Sequence, residues 1–97
     1  MQFYFSRLAR EELREAKSYY NDLQKDLGEQ LKLEALAAAN SILHNPLAWQ
    51  VELGEIRRFL LNRFPYKILY MIDGEKIVVI AFMHQHQAPD YWIDRAI

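Results

Sequence analysis

Ninety-seven residues suffice for one packed core and not for two, so the expectation is a single domain spanning residues 1–97. The absence of cysteine excludes disulfides and thiolate metal sites, and a formal net charge of −1 argues against a strongly basic nucleic-acid binder. With 52% apolar and 26% charged residues, no run long enough for a bilayer and no basic-then-apolar leader, the expectation is a soluble, cytoplasmic protein without a membrane partner.

The chain opens with Gln2-Phe3-Tyr4-Phe5, whose aromatics favour a strand, and so short a strand survives only by pairing with later ones. Ser6 stands where a helix N-cap belongs. Ala9, Leu13, Ala16, Tyr20, Leu23 and Leu27 then recur at spacings of four and three, one apolar stripe on a long helix, and Gly28 is the expected left-handed terminator. A second helix carries Leu31, Ala35, Ala38 and Ile42 on one line, with Leu36, Ala39 and Leu43 beside it. Asn45-Pro46 stops it, because the residue before proline is pushed out of the α region. The short connection makes the two helices antiparallel neighbours. The segment Leu47–Leu53 reads as a loop, with Trp49 filling a gap beneath the helices.

From Gly54 to Met83 three runs rich in β-formers alternate with turn signals: Glu55–Leu61, Tyr66–Ile72 and Glu75–Met83. Asp73-Gly74 is the strongest of these signals, expected as a I′ hairpin turn, and Pro65 sits before its strand begins. The expected core face of the sheet is Ile68, Tyr70, Val78 and Ile80, packed against Leu13, Tyr20, Ala35 and Ile42. The predicted fold is α+β in the order β-αα-βββ: a helical hairpin packed on a small, mainly antiparallel sheet, with a short tail or helix from Pro89.

Fragments distributed along the whole chain resemble the RelE/ParE superfamily of toxins from type II toxin–antitoxin modules, and most closely its ParE-type, plasmid-stabilisation branch. They are Ala16 with Tyr19-Tyr20, Leu27-Gly28, Asn45-Pro46, Ile56-Arg57-Arg58-Phe59, Phe64-Pro65-Tyr66-Lys67-Ile68-Leu69-Tyr70, His84, and Pro89-x-Tyr91-Trp92 with Arg95. The resemblance implies a compact toxin neutralised by a cognate antitoxin, as a homodimer or a toxin–antitoxin hetero-oligomer, with no cofactor. ParE-like members poison DNA gyrase. RelE-like members cut messenger RNA in the ribosomal A site.

Metal-free phosphodiester cleavage needs a base for the 2′-OH, a cation for the phosphorane and an acid for the leaving oxygen. Lys67 matches the position where RNA-cleaving relatives keep a basic residue, and the nuclease alternative would use Lys67, His86 and Tyr91. Relatives usually carry one or two arginines between His84 and the Pro-x-Tyr-Trp element, where this chain has Gln85, His86, Gln87 and Ala88. Losing guanidinium groups removes bidentate phosphate recognition, which favours the gyrase inhibitor and leaves a non-toxic relative of the fold open. Arg57, Arg58, Arg63 and Arg95 are candidates for contacting antitoxin or target, although one of the strand arginines could simply pair with Glu52 or Glu55. His84-x-His86 offers two imidazoles and no third ligand, so no metal is expected. Tyr91 and Trp92 read as anchors of the tail, with Tyr91 also able to stack on a base.

Overall fold

The computed structural model describes residues 1–87 and 91–96, so the expected start of the tail at Pro89 lies outside the described residues. Strand β1 (Gln2–Phe5) leads into helix α1 (Arg7–Leu23), followed by helix α2 (Leu27–His44). Ser6 caps α1 as expected, its Oγ accepting the Ala9 N–H at 3.1 Å. The helix ends before Gly28, however. Asp26 takes the left-handed conformation (φ 66°), which aspartate tolerates better than most residues, and Leu27 opens α2 instead of ending α1. Gly28 lies buried in the first turn of α2, where a Cβ would stand 2.1 Å from the Lys17 carbonyl oxygen and 2.7 Å from the Asn21 side chain. Its N–H donates to Asn21 Oδ1 at 2.7 Å. The glycine therefore permits close approach of the two helices, not chain reversal.

On α2 the line Leu31, Ala35, Ala38 and Ile42 is buried, whereas Leu36 and, on α1, Leu23 are exposed. The segment expected as a loop contains a further strand, β2 (Val51–Leu53), joined through Gly54 (φ 56°) to β3 (Ile56–Leu60). Three residues are too few to show a period, and this strand exists only through its pairing with β3. Strands β4 (Tyr66–Asp73) and β5 (Lys76–His84) complete a five-stranded sheet ordered β1-β5-β4-β3-β2. β1 runs parallel to β5 and all other pairs are antiparallel, so the order is β-αα-ββββ. A short 3-10 turn at Ile93–Ala96 follows.

The face expected for β5 is corrected by its register. The hairpin turn is Gly74-Glu75, closed by Asp73 opposite Lys76, with positive φ at Gly74 (61°) and not at Asp73. Directly paired residues share a face, so Tyr70 opposite Val79 and Ile72 opposite Ile77 face the helices. Val78 lies opposite Met71 on the far face. Between Leu69 and Tyr70 the partner jumps from Ala81 to Val79, leaving Ile80 as a bulge residue on the far face and bringing Phe82 back under the helices opposite Ile68. The sheet thus has two apolar sides. Ile68, Tyr70, Ile77, Val79 and Phe82 meet the helices, while Leu69, Ile80, Ala81 and Met83 meet Trp92 of the tail. Trp49 does pack at the helix side, edge-on to Phe59 at 4.6 Å. Tyr70 is fully buried and donates its hydroxyl hydrogen to the Pro46 carbonyl at 2.6 Å, and burial pushes its pKa up to about 12.

Candidate functional site

Lys67 sits on β4 opposite Leu60 and Met83, and strand alternation sends it to the far face of the sheet. It is 9% exposed, and its Nζ lies 3.0 Å from Glu52 Oε2 on β2. The other oxygen of Glu52 accepts from Arg58 Nη1 at 3.2 Å, and Arg58 Nη2 donates to Gln50 Oε1 at 2.8 Å. Burial alone would raise the Glu52 pKa, but hydrogen bonds from Lys67 and Arg58 and their charges outweigh it and hold the carboxyl below its ordinary range. The most deeply placed cation of this face is therefore already neutralised from within the chain. The Arg58–Glu52 pair is one that the sequence offered for a strand arginine, whereas the sharing of the same carboxylate with Lys67 follows only from the pairing of β2 with β3.

The other arginines occupy separate places. Arg57, next to Arg58 on β3, points to the opposite face and donates to the carbonyls of Trp49 at 2.6 Å and Leu47 at 3.3 Å, fastening the segment after α2. Arg63 is exposed in the β3–β4 connection, its guanidinium 5.6 Å from the Phe64 ring centre. Arg95 lies across the molecule, its Nη1 donating to Glu12 Oε1 at 2.8 Å and to the Ile80 carbonyl at 3.1 Å.

Glu12 is the residue that sequence reading passed over, since it looks like one more charged position off the α1 stripe. Its carboxylate accepts the Phe82 N–H at 3.1 Å, the Tyr91 hydroxyl at 2.5 Å and both terminal nitrogens of Arg95. The Arg95 guanidinium also lies 4.9 Å from the Tyr91 ring centre. One acid thereby ties α1, the edge of β5 and the tail together. The Tyr91 pKa is raised, first by burial and then by its bond to Glu12 and the charge of that acid, which keeps the phenol protonated.

Around the end of β5, Tyr66 stacks on Phe82 (5.0 Å between centroids, 16° between planes) and meets His84 edge-on at 5.5 Å. With Glu15 and Tyr19 of α1 these rings border an open cleft of about 290 Å³. His86 is exposed in the turn that follows, its N–H donating to His84 Nδ1 at 3.2 Å. Among the described residues no hydrogen bond joins any two of Lys67, His86 and Tyr91: Lys67 is held toward β2, Tyr91 toward α1, and His86 stands at the surface. No group of three or more potential ligands able to hold a metal ion occurs among the described residues. Nor, among them, is any helix long and apolar enough to cross a membrane.

A helical hairpin on this mixed sheet, with an internally neutralised far face and a pinned tail, has the fold of a toxin–antitoxin toxin. The structure is similar to a chain of a solved chromosomal ParDE toxin–antitoxin system from P. aeruginosa, with a TM-score of 0.77 and 17% sequence identity over 87% of this chain and 95% of that chain. No curated protein matches the sequence significantly. The sequence profile of the family described as ParE toxin of type II toxin-antitoxin system, parDE, matches residues 3–89, and the chain belongs to that family.

Proposed function

We propose that the protein is the toxin of a type II toxin–antitoxin module, neutralised by a cognate antitoxin, that blocks DNA gyrase by binding it and does not cut RNA. Lys67 carries the choice between the two activities. A nuclease needs an accessible cation to take up phosphorane charge, and here the matching lysine is buried to 9% exposure and paired with Glu52 at 3.0 Å. Tyr91, protonated and bonded to Glu12, is a poor proton acceptor, and His86 and Gln87 supply no permanent charge for phosphate. A surface that inhibits by contact requires neither a base nor a phosphorane clamp. Membership of the ParE family supports the same reading.

Supercoiling by purified gyrase, measured with and without the protein, tests the proposal together with mapping of messenger RNA and DNA breaks in induced cells. Loss of supercoiling and accumulation of DNA breaks, with messenger RNA intact, is the expected result. Codon-dependent cuts without DNA damage would assign the RelE-like activity instead, and neither effect would mark a non-toxic relative.

A further inference from the structure

Folding has already used most of the arginines that the sequence offered to a partner. Arg58 and Arg95 are paired with Glu52 and Glu12, and Arg57 donates to the carbonyls of Leu47 and Trp49. Other cations gather between the two helices. There Arg10, Leu13, Arg14 and Lys17 of α1 and Lys32 of α2 border an open cleft of about 230 Å³ with no acidic residue in its lining. Arg10, Arg14 and Lys32 are exposed and, among the described residues, form no ion pair. Lys17 is paired with Glu29 at 2.9 Å, and Lys32 adds to the positive field on that acid. In a chain of net charge −1 this is a local basic excess, which one carboxylate at its border does not balance.

The same helix also shows apolar surface. α2 exposes Leu36, one turn beyond Lys32, at 52%, and Leu33, three residues before Leu36, at 66%. Residues at these spacings are neighbours on a helix surface. The face that α2 turns to the core is Leu31, Ala35, Ala38 and Ile42, so neither exposed leucine contributes to it.

We infer that this groove is a docking site for an acidic amphipathic helix of a partner protein, with its carboxylates toward Arg10, Arg14 and Lys32 and its apolar residues on Leu33 and Leu36. Cations and leucines together select this occupant. A nucleic-acid backbone would meet the cations and leave both leucines in water. A purely apolar segment would desolvate Arg10 and Arg14 without giving them a counter-charge. A second copy docked through the same face would set these cations against one another, because a two-fold axis brings a patch onto itself. Spacing agrees as well. Arg10 and Arg14 stand one turn apart, about 6 Å along the axis, which is the separation of acids at i and i+4 on a helix lying alongside. Each guanidinium can then take one carboxylate with two parallel hydrogen bonds.

Fluorescence anisotropy of labelled peptides titrated with the purified protein tests this. The probe is a helical peptide of about 18 residues with a leucine stripe flanked by glutamates, and its counterpart carries lysine in place of each glutamate. Saturable binding of the acidic peptide with Kd on the order of 10–100 μM is expected, weakening several-fold as salt rises from about 50 to 300 mM. Arg10→Glu combined with Arg14→Glu should reduce affinity at least about tenfold, and Leu33→Ser combined with Leu36→Ser by a similar factor. Both double variants should melt close to wild type, because the replaced side chains are exposed. Arg63→Glu combined with Lys76→Glu makes the same charge change outside the groove and should leave affinity within about twofold. Absence of binding up to about 1 mM acidic peptide would overturn the assignment. So would equal binding of the lysine peptide, or indifference to either double substitution in the groove. Binding of duplex DNA in place of the acidic peptide would overturn it too, giving the cations to phosphate.

Discussion

Glu52 holds two cations with one carboxylate on a face from which water is largely excluded, so its protonation state bears on stability. Its folded pKa lies below the ordinary 4.5, because the bonds from Lys67 and Arg58 outweigh burial. The stabilisation is therefore fully present above pH 4.5 and is lost as pH falls through the folded value. Glu52→Gln removes that dependence and leaves Lys67 without its counter-ion, at a cost of about 1.5–3 kcal/mol at neutral pH. Urea midpoints at pH 7 and pH 3.5 measure both effects. The variant should begin lower and lose less on acidification than wild type. Equal losses in the two proteins would show that Glu52 does not contribute to the acid sensitivity.

At the scale of elements, glycines that look alike in sequence do different things. Gly74 has φ 61° with nothing near an added Cβ, so Gly74→Ala costs only the left-handed backbone strain, about 1–2 kcal/mol. Gly28 has an ordinary helical backbone, yet an added methyl would collide with the Lys17 carbonyl and the Asn21 side chain. Only separating the helices relieves that contact, so Gly28→Ala is expected to cost about 3 kcal/mol or more. Thermal melts of the two variants decide the matter. If Gly28→Ala is as mild as Gly74→Ala, the hairpin can open at this end without disturbing the core.

For the molecule as a whole, the tail is part of the fold because Glu12 makes it so. The carboxylate reaches Phe82 on β5 and Tyr91 and Arg95 beyond it, and Trp92, 2% exposed, then seals the far apolar side of the sheet. Glu12→Ala leaves Arg95 and the Tyr91 hydroxyl without their shared acceptor and should let the tail lift. The expected signature is a red shift and easier quenching of tryptophan emission, with faster hydrogen exchange at Phe82, while the α1–α2 hairpin keeps its protection. Unchanged emission and exchange would mean that apolar packing of Trp92 alone holds the tail.

The two helices were legible in the sequence because helix signals are local: the Ser6 cap, the 3–4 spacing from Ala9 to Tyr20, the buried line from Leu31 to Ile42 and the Asn45-Pro46 stop all hold. The family resemblance, carried by short fragments in order, was legible for the same reason and agrees with the matched residues 3–89. What the chain could not disclose by itself depends on pairing across space. Strand β2 exists only against β3, and the face of Ile80 depends on a bulge opposite Leu69 and Tyr70. Asp26 and not Gly28 reverses the chain because the glycine is needed where the helices touch. The partners of Lys67 and Tyr91 lie 15 and 79 residues away, at Glu52 and Glu12. Carboxylates such as these look like ordinary surface charges until tertiary structure decides which cations and hydroxyls they meet. That decision makes Lys67 half of an ion pair rather than a free charge, a distinction in electrostatics that residue spacing does not encode.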